Sequence, residues 1–420
     1  MIAPRRVPVP PAWSKQLFTV GITGTNGKTT TTAWVAAALR RLASSTGGGP
    51  VARATTVGFF LDDERVVLEK SYTGFVEGMR ACFDRGGKLA AVELTSEALA
   101  NGFAKAWQCN VGVFTNLTHD HLDAHGSPEH YLASKAQLFV SLPAGGVAVL
   151  NAGDPVFELL AEIMPAGVKV LSYAVPSRGE VQGTPDLVAS SVEVSWSGTT
   201  VACDVRDPAS GLPNEVRVRA IGDVYAENAL AALLGAVAAG VPPAEACAAL
   251  AEAPPPPGRF EVVHEKPYVV VDYAHSPDAL ARTVRTARKL ADDGGGELTV
   301  VFGAGGKRDK AKRGPMGEAA RAANRVILTT DNPRDEDPAI IARAIAEGLR
   351  GHASVRTELD RGKAITSAIE GARDADVVLI AGKGHETEQL VGNEVRRFSD
   401  VDVARAALST RTELVLHAER

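Results

Sequence analysis

The stretch GITGTNGKTT, Gly21–Thr30, runs an apolar segment into a glycine turn and then into a lysine at the mouth of a predicted helix. A turn over Gly24, Thr25, Asn26 and Gly27, with Lys28, Thr29 and Thr30 opening the helix, can surround phosphate oxygens with backbone amides and one ammonium. Thr29 is then placed to ligate Mg²⁺. The spelling departs from GxxxxGK[ST], whose first glycine would fall at Ile22. Glu93 ends the run LAAVE, and a carboxylate at a strand end beside a phosphate loop is a usual holder of nucleotide-bound Mg²⁺. Its plainer reading is a surface strand end. The segment TNLTHDHLDAHGSPEHY, Thr115–Tyr131, holds four of the nine histidines. His119, Asp120 and His121 follow a predicted strand, where α/β ligand sites form. Without an HExxH pattern, one Mg²⁺-contacting histidine is favoured over a zinc set or solvated loop histidines. Lys135 in YLASKAQLF, between Leu132 and Leu138, reads from spacing alone as a snorkelling side chain.

These residues need a sheet to carry them. Apolar runs at Gln16–Gly24, Leu89–Thr95, Val111–Asn116 and Val147–Asn151 alternate with helical patterns, which predicts α/β units on a mainly parallel sheet. Residues 186–220 instead alternate in period two, which predicts a small antiparallel side sheet. A helix is expected over Tyr225–Ala239. The prolines of APPPPGRF, Ala253–Phe260, fix φ and remove amide donors, so a domain boundary falls there, dividing the chain into 1–256 and 257–420. Beyond it, predicted strands at Tyr268–Tyr273, Leu298–Phe302, Arg325–Thr330 and Val377–Ala381 alternate with helices starting near Ser276, Gly314, Pro338 and Gly362. The fold class expected is therefore α/β: a phosphate-loop ATPase-type parallel-sheet domain with its side sheet, then a Rossmann-like domain.

Composition narrows the function classes. With 420 residues, 45% of them hydrophobic, the chain can build two or three cored domains. Its 45 Lys+Arg against 50 Asp+Glu argue against a bulk nucleic-acid binder. The longest alanine-rich apolar stretch, Ala229–Val241, is too short to cross a bilayer, and the opening MIAPRRVPVPPAW puts prolines where a signal peptide needs a helix. The expectation is a soluble, unprocessed chain. Cys82, Cys109, Cys203 and Cys247 stand apart, with no CxxC pair, which fits a reducing, cytoplasmic setting.

GTNGKTT, VELTSEAL, TNLTHDHLD, YLASKAQLF, NAGDP, GDVYAENALAA, PGRFE, VDYAHSPD, VFGAGGKRDKAKRGPMGE, DNPR and GKGHE occur in one order. In that order the chain resembles the Mur ligases over roughly residues 16–405, most of all their diaminopimelate-adding kind. The resemblance implies ATP-dependent amide bond formation. The γ-phosphoryl group passes to a substrate carboxylate, and an amino acid amine then displaces phosphate from the acyl phosphate. Lys28 and the loop amides would stabilise the transferring phosphoryl group, Thr29 and Glu93 would hold one Mg²⁺, and His121 would contact a second. Lys135 matches the lysine that the family carbamylates into a metal bridge. Asn228 matches an adenine contact, Arg259 a hinge-side nucleotide contact and Asp272 a ribose contact, with the proline-rich boundary as a hinge. Asn332, Arg334, Gly382 and Glu386 match positions that hold the incoming amino acid; a guanidinium suits its carboxylate and Glu386 its ammonium. From the residues alone, DNPR would pass as a capped strand-to-helix turn.

Departures accompany the match. The uridine diphosphate-binding stretch of the family's peptidoglycan enzymes has no counterpart before Gly21. The expectation is a carboxylate substrate without a nucleotide, or one presented by a separate protein. Glu97 stands where the family has histidine, Lys307 where it has aspartate, and SYTGFVEGM, Ser71–Met79, matches the carboxylate-holding segment only loosely. A muramyl ligase acting with a partner, a polymer-backbone ligase, a nucleotide-binding scaffold without turnover and a metal hydrolase stand as the competing readings.

Overall fold

The computed structural model describes residues 8–117, 127–307 and 309–418. They divide into two units: one spans the chain to Arg219 and Asp223–Pro254, the other Ala220–Gly222 and the chain from Pro255.

The first unit is built on an 11-stranded sheet. Its strands are β1 (Phe18–Thr23), β2 (Ala52–Thr55), β3 (Gly58–Leu61), β4 (Glu64–Val66), β5 (Leu89–Glu93) and β6 (Val111–Phe114). They continue with β7 (Val147–Asn151), β8 (Lys169–Ala174), β9 (Leu187–Ser195), β10 (Gly198–Val205) and β11 (Glu215–Val218). The spatial order is β11-β10-β9-β8-β7-β6-β1-β5-β2-β3-β4. Strand β1 lies between β5 and β6, parallel to both, with Val20 opposite Ala91 and Val111. Five of its six residues are buried, as a strand covered on both faces requires, so its run is apolar rather than alternating. The period-two region forms antiparallel pairs β9–β10–β11, joined through β8 onto the end of the same sheet. The opposite end carries β2–β3–β4, which the sequence reading did not pick out.

Helix Lys28–Ser45 follows the β1 turn. Helix Val224–Ala238 is alanine- and leucine-rich and buried along nearly its whole length, so it has no polar face and serves as core. Its Gly235 lets it sit directly on β6, where an added Cβ would come 3.0 Å from Val113 Cγ2. Four adjacent parallel strands, β7, β6, β1 and β5, thus end at one edge of the sheet. Asn151, Thr115, the glycine turn and Glu93 all leave from that edge, where open α/β sheets bind ligands.

The second unit is a six-stranded sheet of β12 (Glu261–Glu265), β13 (Tyr268–Asp272), β14 (Leu298–Phe302), β15 (Arg325–Leu328), β16 (Val355–Thr357) and β17 (Val377–Ala381). The order is β12-β13-β17-β14-β15-β16, parallel except for the edge strand β12. A hairpin, β18 (Glu388–Val391) and β19 (Glu394–Arg397), stands apart from it. Val269, Val271, Val301, Val378 and Ile380 pack against Ala364, Ile365, Ile369 and Ala404 from the covering helices. Beneath this core Arg361 and Asp400, both fully buried, pair through two bonds of 2.7 Å, and Arg361 also donates to Ala381 O at 3.0 Å. Among the described residues no helix is long and apolar enough to cross a membrane.

Candidate functional site

The glycine turn is shaped by its neighbours. Gly24 and Gly27 have φ of 150° and 82°, where L side chains are strained. Space excludes side chains as well: a Cβ on Gly24 would fall 1.9 Å from Thr115 Oγ1, and one on Gly27 would fall 2.0 Å from Asn228 Oδ1. Thr25 N donates to Asn116 O at 2.7 Å, Asn26 N to Asn116 Oδ1 at 2.9 Å, and Thr115 Oγ1 to Asn26 O at 2.6 Å. Thr25 and Asn26 therefore use backbone donors to hold the turn's shape. The amides of the helix's first turn, Lys28 to Thr30, point out of its N-terminus, which favours anions. Lys28 Nζ folds back to Thr25 O at 2.7 Å, and Thr30 is buried at the helix start.

Thr29 Oγ1 donates to Glu93 Oε2 at 2.9 Å, and the same oxygen accepts from Thr56 N at 3.1 Å. The structure thus brings Thr29 and Glu93 together beside the turn. An alcohol and a carboxylate suit Mg²⁺, which takes few protein oxygens and fills its octahedron with phosphate oxygens and water. Among the described residues there is no cluster of three or more His, Cys, Asp or Glu able to hold a metal. His119, Asp120 and His121 lie outside the described residues.

Lys135 does not snorkel. It sits on helix Pro128–Val140, 1% exposed, and donates from Nζ to Gly24 O at 2.6 Å. Its ammonium also lies 4.2 Å from the Tyr131 ring centroid, and Tyr131 OH reaches Thr25 Oγ1 at 3.3 Å. Burial, reinforced by the charge of Lys28, pushes its pKa down to about 7.

Asn228 is buried against Gly27 on helix Val224–Ala238. Its neighbour Glu227 accepts from Asn151 Nδ2 at 3.2 Å and pairs with Arg178 at 3.3 Å, while the same Asn151 nitrogen donates to Thr115 O at 2.8 Å. Asp154 accepts from Leu117 N at 2.6 Å. Reading the sequence missed Thr115, Asn116, Tyr131, Asn151, Asp154 and Glu227 as site builders. Their signal was position, since Thr115, Asn116 and Asn151 stand at or just past the carboxyl ends of β6 and β7.

In the second unit Asp272, ending β13, is 7% exposed and accepts from Phe260 N at 2.7 Å, Ala274 N at 2.8 Å and Thr283 Oγ1 at 3.2 Å. Burial raises its pKa while these donors oppose the rise. Arg259 lies over the Tyr273 ring, 4.4 Å from its centroid. Asn332, Arg334, Gly382 and Glu386 gather past the ends of β15 and β17. Asn332 Nδ2 donates to Glu386 Oε2 at 3.1 Å, and Arg334, with φ of 54°, donates from Nη1 to Gly306 O at 2.8 Å. Gly382, with φ of 117°, leaves room for Asp331, whose Oδ2 would lie 2.8 Å from an added Cβ. Asp331 and Lys383 belong to this cluster and were not singled out from sequence. A carboxylate beside a guanidinium and a carboxamide can read both charges of an amino acid head group.

The chain matches the model of the Mur ligase middle domain over residues 22–236, and that of the Mur ligase, glutamate ligase domain over 258–384. It is 38% identical over 406 residues to the UDP-N-acetylmuramoyl-L-alanyl-D-glutamate--2,6-diaminopimelate ligase of Synechococcus elongatus, covering 95% of this chain and 78% of that one. The same ligase of Halalkalibacterium halodurans is 37% identical over 410 residues, covering 95% and 79%. A solved structure of a ligase of this name superposes with a TM-score of 0.69 at 32% identity, over 94% of this chain and 79% of that chain. The fold is also that of Mycobacterium tuberculosis folylpolyglutamate synthase complexed with ADP, with a TM-score of 0.70 at 18% identity over 94% and 91% of the two chains. The chain belongs to the Mur ligase family of ATP-dependent amide-bond ligases.

Proposed function

We propose that this chain ligates an amino acid of the 2,6-diaminopimelate type to a carboxylate substrate, using ATP to activate that carboxylate. The observation that carries the reading is Lys135, 1% exposed and 2.6 Å from the carbonyl of Gly24 in the phosphate loop. A module that only binds nucleotide needs the loop but has no use for a buried amine aimed at it, which weighs against the scaffold reading.

A carboxylate oxygen of the substrate attacks the γ-phosphorus of ATP, the bond to the β–γ bridging oxygen breaks, and ADP departs. The amine nitrogen then attacks the carbonyl carbon, the C–O bond to phosphate breaks, and the nitrogen releases a proton. Lys28 and the amides at the helix start stabilise charge on the transferring group. Thr29, Glu93, His121 and Lys135 are the residues assigned to two Mg²⁺ ions, which when bound neutralise nucleotide phosphate charge. With its pKa near 7, Lys135 is half neutral at neutral pH, and the neutral amine can add CO₂ to give a carbamate with release of a proton. Asn228, Arg259 and Asp272 are assigned to the nucleoside, and Asn332, Arg334, Gly382 and Glu386 to the amino acid. Four free cysteines suit a reducing compartment such as the cytoplasm.

The test is turnover with ATP, Mg²⁺ and bicarbonate against amino acids including diaminopimelate, lysine, glutamate and aspartate. These are crossed with carboxylates that include UDP-N-acetylmuramoyl dipeptide and nucleotide-free analogues. Phosphate release dependent on both substrates, with a product mass equal to their sum less water, supports the reading. ATP binding without turnover for any pair rejects it in favour of the scaffold.

A further inference from the structure

Lys383 follows Gly382 just past the end of β17 and is fully buried. Its three ammonium hydrogens meet three acceptors: Glu388 O at 2.6 Å, Glu386 Oε2 at 3.0 Å and Asn332 Oδ1 at 3.3 Å. No donor remains for a substrate, so any role of Lys383 runs through these partners. Asn332 Oδ1 also accepts from Leu390 N at 2.9 Å, which fixes the carboxamide with Nδ2 toward Glu386. Glu386 Oε2 therefore receives two donors, Lys383 Nζ and Asn332 Nδ2. Its other oxygen, Oε1, has no protein partner among the described residues, and the side chain is 34% exposed.

We propose that Lys383 is a specificity-positioning residue: it occupies one oxygen of Glu386 so that the amino acid site offers a single carboxylate oxygen to the incoming substrate's cation. This rests on the reading of Asn332 and Glu386 as the amino acid site. One presented oxygen suits a primary ammonium group. A guanidinium binds best through two parallel bonds to both carboxylate oxygens, and here the second is taken. The site accordingly selects amino acids whose distal or reacting cation is an ammonium over guanidino analogues of the same length.

The test compares wild type, K383M, E386Q and K383M/E386Q by calorimetric binding of diaminopimelate and of a guanidino analogue, and by the KM of each substrate. In K383M the freed Oε2 gives a guanidinium its second bond, so the Kd and KM of the guanidino analogue fall about 10- to 100-fold, as for gain of a charge-assisted contact, while those of diaminopimelate change less. Discrimination against the guanidino analogue shrinks, and the KM for ATP stays put. In the E386Q background the same substitution adds little, because both changes act on one contact. Equal affinity and selectivity in wild type and K383M, or fully additive effects with E386Q, overturn the proposal. Where K383M does not fold, K383Q, which keeps a donor, shows the same pattern at smaller size, and its absence also overturns it. If wild type binds no amino acid, the amino acid site reading itself fails, an outcome distinct from unchanged selectivity in K383M.

Discussion

Replacing Lys135 by Met keeps the side chain's length and removes its charge, and it should stabilise the protein while abolishing turnover. The amine is 1% exposed and its pKa falls from 10.5 to about 7. The unfolded chain holds the proton up to 10.5, whereas the folded chain releases it near 7. Between those values the unfolded state binds more protons, so stability rises with pH. The cost of burying the group is full below pH 7 and gone above 10.5. At pH 7 it comes to about 4 kcal/mol, against about 1 kcal/mol lost with the bond to Gly24 O. Lys135→Met should therefore gain about 3 kcal/mol at pH 7 and almost nothing at pH 10. All four tryptophans, Trp13, Trp34, Trp107 and Trp196, lie in the first unit, so their fluorescence reports its unfolding alone. Urea titrations of metal- and bicarbonate-free protein at about pH 6, 7, 8.5 and 10, from below the folded pKa almost to the unfolded one, measure the difference. A variant no more stable than wild type at pH 7, or a gain that does not shrink as pH rises, would refute the argument that burial sets this lysine's titration.

Three further outcomes follow from the geometry. Gly27→Ala meets both the positive φ and Asn228 Oδ1, so nucleotide affinity should fall at least about tenfold by calorimetry; an unchanged Kd would mean the turn is not the phosphate cradle. Glu93→Gln keeps an acceptor for Thr29 and Thr56 but loses the charge, so half-saturation by Mg²⁺ should rise about tenfold or more while metal-free nucleotide binding holds, and an unshifted Mg²⁺ curve would remove Glu93 from the metal site. Asp400→Asn strands the buried Arg361 charge and should cost about 3 to 5 kcal/mol in the second unit, seen by amide exchange there while tryptophan fluorescence of the first unit is unchanged; protection equal to wild type would show that the pair is not what holds those helices.

The strands that carry the site were legible because burial on both faces demands uninterrupted apolar runs, as in Val147–Asn151, Leu298–Phe302 and Val377–Ala381. Strands β2, β3 and β4 escaped notice because three or four residues are too few for a period to register, and their pairing depends on β5 being in place. The period of residues 186–220 identified antiparallel strands, but alternation records only which face is covered. That they extend the parallel sheet through β8 depends on a partner elsewhere in the chain.

The positions of the glycine turn and of Glu93 could be read locally, since a glycine turn between a buried strand and a helix is a contiguous pattern, and parallel strand ends point at one sheet edge whatever the details. Lys135 could not. Its neighbours Leu132 and Leu138, three residues away on either side, mark its face as inward, yet a lysine on such a face can reach solvent or be trapped. What traps it is the carbonyl of Gly24, 111 residues away, with the Tyr131 ring and the charge of Lys28 closing around the amine. Residue types and order along the chain were enough for the family and its chemistry. The titration of Lys135, and the bond that Asn332 makes to Glu386 from 54 residues away, come from contacts between distant segments, because desolvation and hydrogen-bond saturation are properties of what surrounds a group in space.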